Sequence, residues 1–96
     1  MYIRITRGHW DPTKDASVQR LIEERILPAW QKLPGFRGLY SAFDRTNPGR
    51  GVTVTLWDNQ VQAQGARDAL GGLVTEITNL GVEMQPGEVY EVVVQA

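Results

Sequence analysis

The stretch Val52-Thr53-Val54-Thr55-Leu56-Trp57-Asp58 alternates aliphatic with hydroxyl-bearing residues, then closes on a tryptophan and an acid. A period of two is the pattern of a strand with one face buried. Val52, Val54 and Leu56 share one side; Thr53, Thr55 and Trp57 share the other. On its N-terminal flank, Arg45-Thr46-Asn47-Pro48-Gly49-Arg50-Gly51 is dense in turn formers and reads as a hairpin connection. Residues 38–44, with Leu39-Tyr40-Ser41-Ala42-Phe43 inside them, then become the antiparallel partner strand. On the C-terminal flank, Asp58 suits a helix N-cap, and Ala63, Ala66, Leu70, Leu73, Ile77 and Leu80 supply a buried stripe. Gly65, Gly71 and Gly72 each cost that helix about 1 kcal/mol relative to alanine, so it is expected to bend or break before a Gly81 cap.

Outward from there, Tyr2 to Arg7 is a second alternating strand, with Ile3 and Ile5 on one side and Tyr2, Arg4 and Thr6 on the other. From Lys14 to Leu33 the apolar residues Val18, Leu21, Ile22, Ile26, Ala29, Trp30 and Leu33 recur at helical spacing. Pro28 lacks the amide that would bond to residue 24 and should kink the last turns, and Pro34-Gly35 stops them. A turn at Gln85-Pro86-Gly87 leads to a last strand, residues 89–95. The order strand, helix, strand, strand, helix, strand defines an α+β, ferredoxin-like βαββαβ fold. It predicts a four-stranded antiparallel sheet with both helices on one face. No linker or internal duplication divides the chain, so residues 1–96 read as a single domain. The aliphatic set Ile3, Ile5, Val52, Val54 and Leu56 is expected beneath the helices. The other face, bearing Tyr2, Arg4, Thr6, Thr53, Thr55 and Trp57, would then be exposed and unusually aromatic. A second copy of the same sheet would cover it as a homodimer.

Composition narrows the function classes. Ten Lys plus Arg against eleven Asp plus Glu give a net charge of −1, without the basic excess of a nucleic-acid module. No apolar run approaches the roughly 18 residues of a membrane span, and Met1 to Arg7 lacks the apolar core of a secretory signal. With no cysteine and one histidine, His9, disulfides, thiolate nucleophiles and multi-histidine metal sites are all excluded. A cytoplasmic domain without metal or cofactor is the expectation. No Ser/His/Asp spacing stands out, and residues 45–51 have neither the lysine of a P-loop nor a GxGxxG.

Three stretches resemble antibiotic biosynthesis monooxygenase-like proteins. They are Ile26-Leu27-Pro28-Ala29-Trp30-Gln31-Lys32-Leu33-Pro34-Gly35-Phe36-Arg37-Gly38, the Val52 to Asp58 strand, and Glu88-Val89-Tyr90-Glu91-Val92. The resemblance implies a dimeric α+β barrel, two ferredoxin-like sheets closed face to face, with a pocket between sheet and helices. It also implies one of the activities of that group: cofactor-independent oxygenation of aromatic polyketides or quinols, or haem degradation. The haem-degrading branch carries an Asn on strand one, a Trp on strand three and a haem-ligating His on helix two. Trp57 matches the Trp, Arg67 falls where the His would be, and Arg4 to Arg7 include no Asn. The Asn of the polyketide oxygenases would fall on Thr53. Fold is better carried by such a resemblance than activity, because function lives in the site.

Candidate site residues follow from both readings. Trp57 either fills the barrel or forms a pocket wall whose indole N–H orients a ligand. His9, at the end of strand one, is either a surface residue or the general base. Arg4 either pairs with Glu91 on the last strand or stabilises a substrate anion. Tyr2, Thr6, Tyr40, Thr53 and Thr55 are the expected ligand contacts, for a small hydrophobic or aromatic molecule. Two functions remain open: a cofactor-free oxygenase of a small aromatic, phenolic or quinol compound, or a non-catalytic binding or structural dimer.

Overall fold

The computed structural model describes the whole chain, Met1 to Ala96. At its centre lies the expected hairpin of β2 (Phe36–Phe43) and β3 (Arg50–Trp57). The Asp44 carboxylate closes the connection, accepting from the amides of Thr46 and Asn47 at 2.8 and 3.0 Å. Gly49 completes it at φ +86°, where a side chain would run into the Trp10 carbonyl. Strand β1 (Tyr2–His9) lies antiparallel along β3, from Tyr2 opposite Trp57 to His9 opposite Arg50.

The far edge of β1 is shared by two short strands rather than one. β4 (Glu83–Met84) pairs with Gly8 and His9, and β5 (Glu88–Glu91) pairs with Tyr2 to Ile5. The resulting order, β2-β3-β1 with β4 and β5 on the last edge, is the ferredoxin-like arrangement, five strands where four were expected. Gln85-Pro86-Gly87 splits the edge, with the Gln85 amide donating to the Arg7 carbonyl at 2.8 Å. Pairing also stops short of residue 95. The last backbone bond along this edge runs from the Val92 amide to the Met1 carbonyl.

The first helical run opens with a 3₁₀ turn (Pro12–Lys14) capped by Asp11, whose carboxylate accepts from the Thr13 amide at 2.9 Å. It continues through α1 (Asp15–Leu21), a π turn (Ile22–Ile26) and α2 (Leu27–Gln31). The disturbance expected from Pro28 takes the form of that π turn. With no proline amide to offer the Glu24 carbonyl, the ladder widens, and the Leu27 amide reaches back five residues to Ile22. In the second run, α3 (Gln60–Gln64) is capped by Asn59, whose side-chain oxygen accepts from the Gln62 amide, while Asp58 pairs instead with Arg37. The run breaks as expected, into a 3₁₀ turn (Asp68–Leu70) and α4 (Leu73–Asn79). Gly81, at φ +87°, ends α4. Its amide donates to Thr78 and that of Val82 to Ile77, the paired bonds of a Schellman motif. No helix is long and apolar enough to cross a membrane.

Core packing reverses the expected sidedness of the sheet. Trp57, Trp30, Ile26, Ala63, Ala66, Leu70 and Ile77 form one buried cluster, joined by Tyr2, Leu39, Val89 and Met84 from the same sheet face. None of Ile3, Ile5, Val52, Val54 or Leu56 belongs to it. Trp57 sits edge-on to Trp30 at 6.4 Å and to Phe36 at 5.3 Å, and the Trp30 indole donates to the Ala66 carbonyl at 2.9 Å. Once this aromatic cluster takes Trp57 under the helices, strict alternation draws Thr55, Thr53, Arg4 and Thr6 in beside it. The aliphatic stripe is left facing outward.

Candidate functional site

Between the inner sheet face and the helices lies a cavity of about 90 Å³. Val18, Leu21, Ile22, Ile26 and Trp30 wall it from the first helical run, and Leu70 and Ile77 from the second. Arg4, Thr6, Ser41, Phe43, Thr53 and Met84 form its floor, with Trp10, Arg67 and Gln85 at its margins. Both Ile22 and Ile26 on this wall belong to the π turn. The Trp10 indole packs on Phe43 with ring centres 4.9 Å apart and is fixed by donating to Asp15 at 2.6 Å.

Arg4 is the central polar group. Its Nη1 donates to the carbonyls of Ala63 and Gln64, both at 3.2 Å, at the C-terminal end of α3. Gly87 leaves room for the guanidinium; a Cβ there would collide with it. Burial and the nearby Arg67 cation press its pKa downward, yet a guanidinium stays charged in proteins. Neither arginine has a carboxylate partner. The ion pairs of the chain are Arg7–Glu88, Arg25–Glu76, Arg37–Asp58 and Arg45–Asp15, and the His9 imidazole meets Glu83. On the floor, the hydroxyls of Ser41 and Thr53 satisfy each other at 3.0 Å. No three His, Cys, Asp or Glu side chains converge as a metal site would need.

Of the residues singled out in the sequence, the structure brings Arg4, Thr6 and Thr53 together on the cavity. Trp57, 1% exposed, lies in the core rather than on the wall, and its indole N–H is taken by the buried Thr55 hydroxyl at 2.8 Å. Tyr2 donates to Glu91 at 3.2 Å, and that carboxylate raises its phenol pKa. The expected Arg4–Glu91 pair is absent, because the register sets Glu91 opposite Tyr2 and Val89 opposite Arg4. Tyr40 is 71% exposed on the outward face. His9 lies on that face too, at the far end of β1, with Nε2 2.7 Å from Glu83. The sequence reading did not select Trp10, Ser41, Phe43 or Gln85 for the site. Arg67 was noted only for standing where a haem ligand would be.

No family model matches the chain, and no curated protein matches it by sequence. Solved structures do share its fold. A Deinococcus radiodurans protein described as a candidate antibiotic biosynthesis monooxygenase superposes with a TM-score of 0.79 at 21% identity, covering 100% of this chain and 96% of its own. SnoaB, a cofactor-independent oxygenase from Streptomyces nogalater, gives 0.69 at 17% identity, covering 98% and 94%. A dimeric ferredoxin-like protein from an uncultured marine organism gives 0.75 at 10% identity, covering 100% and 98%. The chain therefore has the antibiotic biosynthesis monooxygenase-like fold, a ferredoxin-like α+β sheet-and-helix layer.

Proposed function

We propose that the chain is a cofactor-independent oxygenase of a small phenolic or quinol compound, held in the cavity with its acidic oxygen at Arg4. The observation that carries this reading is an Arg4 guanidinium without a carboxylate partner, set in the floor of an otherwise mostly apolar cavity. A neighbouring cation favours the phenolate over the phenol, and apolar walls at Ile22, Ile26, Trp30 and Phe43 hold the ring away from water. The delocalised anion then reacts with oxygen. One oxygen atom becomes the new ring carbonyl as the C–H and O–H bonds are lost. The other leaves as water with those two hydrogens, so the substrate supplies every electron. Among the solved structures of this fold, SnoaB is described as an oxygenase of this cofactor-independent kind.

The test is oxygen uptake across a panel of phenols and quinols that bind. Arg4→Met should lower kcat/KM by at least about tenfold, the usual scale of a lost hydrogen bond to a charged group. No uptake above background with any bound compound would overturn the oxygenase reading. It would select non-catalytic binding instead, which one observation favours: no Asp, Glu, His, Lys or Tyr lines the cavity to accept a proton.

The same proposal includes a homodimer, closed through the outward face rather than the face first expected. Ile3, Ile5, Val52, Val54 and Leu56 lie there with Tyr40 and Tyr90, the last 50% exposed, and this patch calls for a cover. A structural neighbour described as dimeric supports it. We place this dimer, one domain per chain, in the cytoplasm.

A further inference from the structure

Deepening the reading above, and resting on it, we infer that the occupant is a single-ring aromatic acid, its phenolic oxygen met by Arg4 and an adjacent carboxylate met by Arg67. Charge is the first argument. Arg4 and Arg67 both line the cavity, and the carbonyls that Arg4 grips, Ala63 and Gln64, lie within a turn of Arg67 in the chain. Neither guanidinium forms an ion pair, and Asp68, next to Arg67, closes none with either. A carboxylate accepts the paired donors of a guanidinium fork at Arg67, and the hydroxyl on the neighbouring ring carbon presents its oxygen to Arg4. Arg67 presses the Arg4 pKa downward, and the Asp68 carboxylate offsets part of that pressure.

Size is the second argument. A cavity of about 90 Å³ is smaller than the engineered one of roughly 150 Å³ that holds a benzene, so even a single ring enters only as the side chains around it shift. A fused polycyclic substrate would demand a larger rearrangement still.

Calorimetric titration of the full chain with 2-hydroxybenzoate, 2-hydroxybenzamide, benzoate and phenol tests this. The hydroxybenzoate is expected to bind at least about tenfold more tightly than the amide or phenol, and also more tightly than benzoate. Arg67→Gln, a change at an exposed position, should erase the advantage over the amide by weakening the acid. Equal affinity for acid and amide, or an advantage that survives Arg67→Gln, would overturn the inference. Phenol and amide binding would then leave the phenolic reading standing. Failure of all four probes to bind would overturn both.

Discussion

Beneath the helices, the sheet presents Arg4, Thr6, Ser41, Thr53 and Thr55 beside Trp57, while the face turned away presents Ile3, Ile5, Val52, Val54 and Leu56. By hydrophobicity alone, the second face belongs in a core and the first in water. The covered face tolerates its polarity because most of these groups are paired within it. Thr55 accepts the Trp57 indole, Ser41 and Thr53 bond each other, and Arg4 is gripped by two carbonyls. The aliphatic stripe of the outward face has no layer packed over it. A covered polar face that lines a cavity, and an open aliphatic face, together describe a site on one side of the sheet and an interface on the other.

The largest effect that sharpens this contrast should come from Trp57→Ala. Removing a side chain 1% exposed, and orphaning the Thr55 hydroxyl, should destabilise the fold by about 3–5 kcal/mol, read from the urea unfolding midpoint. A loss below about 1 kcal/mol would return Trp57 to the cavity wall.

Acid should act next, and on the open side and the loops. Asp11, Asp44 and Glu88 all have depressed pKa values. Asp11 is held by the Thr13 hydroxyl and amide, Asp44 by the Asn47 and Thr46 amides, and Glu88 by hydrogen bonds from Tyr90 and Arg7 and by the Arg7 charge. Each binds its proton more readily when unfolded, so its contribution is complete above the unfolded value near pH 4. It is lost as pH falls through the lower folded values. Unfolding midpoints followed from pH 5 to pH 2 should fall, and Asp44→Asn should flatten that decline. An unchanged slope in Asp44→Asn would remove the hairpin carboxylate from the account.

The smallest effect is expected from His9→Ala. His9 pairs with Glu83 on the outward face and does not line the cavity beneath the helices, so oxygen uptake per active site should stay within about twofold of wild type. A loss of tenfold or more would restore His9 as a base and require the cavity to open toward it.

The fold was legible because period-two alternation in Tyr2–Arg7 and Val52–Trp57, the turn at 45–51 and the glycine break after Leu70 are all local signals. Sidedness was not. Alternation says which residues share a face, and only long-range packing of Trp57 against Trp30 says which face the helices cover. That one inversion explains most of the site. Arg4, Thr6 and Thr53 were chosen as neighbours and are neighbours, but they are roofed by helices rather than by a second sheet. Trp10, Phe43 and the π turn reach the cavity through tertiary geometry that no short motif encodes. Arg67 had a readable signal, its spacing of ten from Trp57, but its meaning required the cavity.

Native mass spectrometry of the wild type beside Val54→Asp tests the division of faces most directly. Val54 lies between Ile5 and Tyr40 on the outward face, so a charge there strikes the proposed interface and leaves the cavity untouched. The wild type should appear at about twice 10.8 kDa, and the variant as a folded monomer that still binds ligand. A monomeric wild type, or a dimer that survives Val54→Asp, would contradict the account.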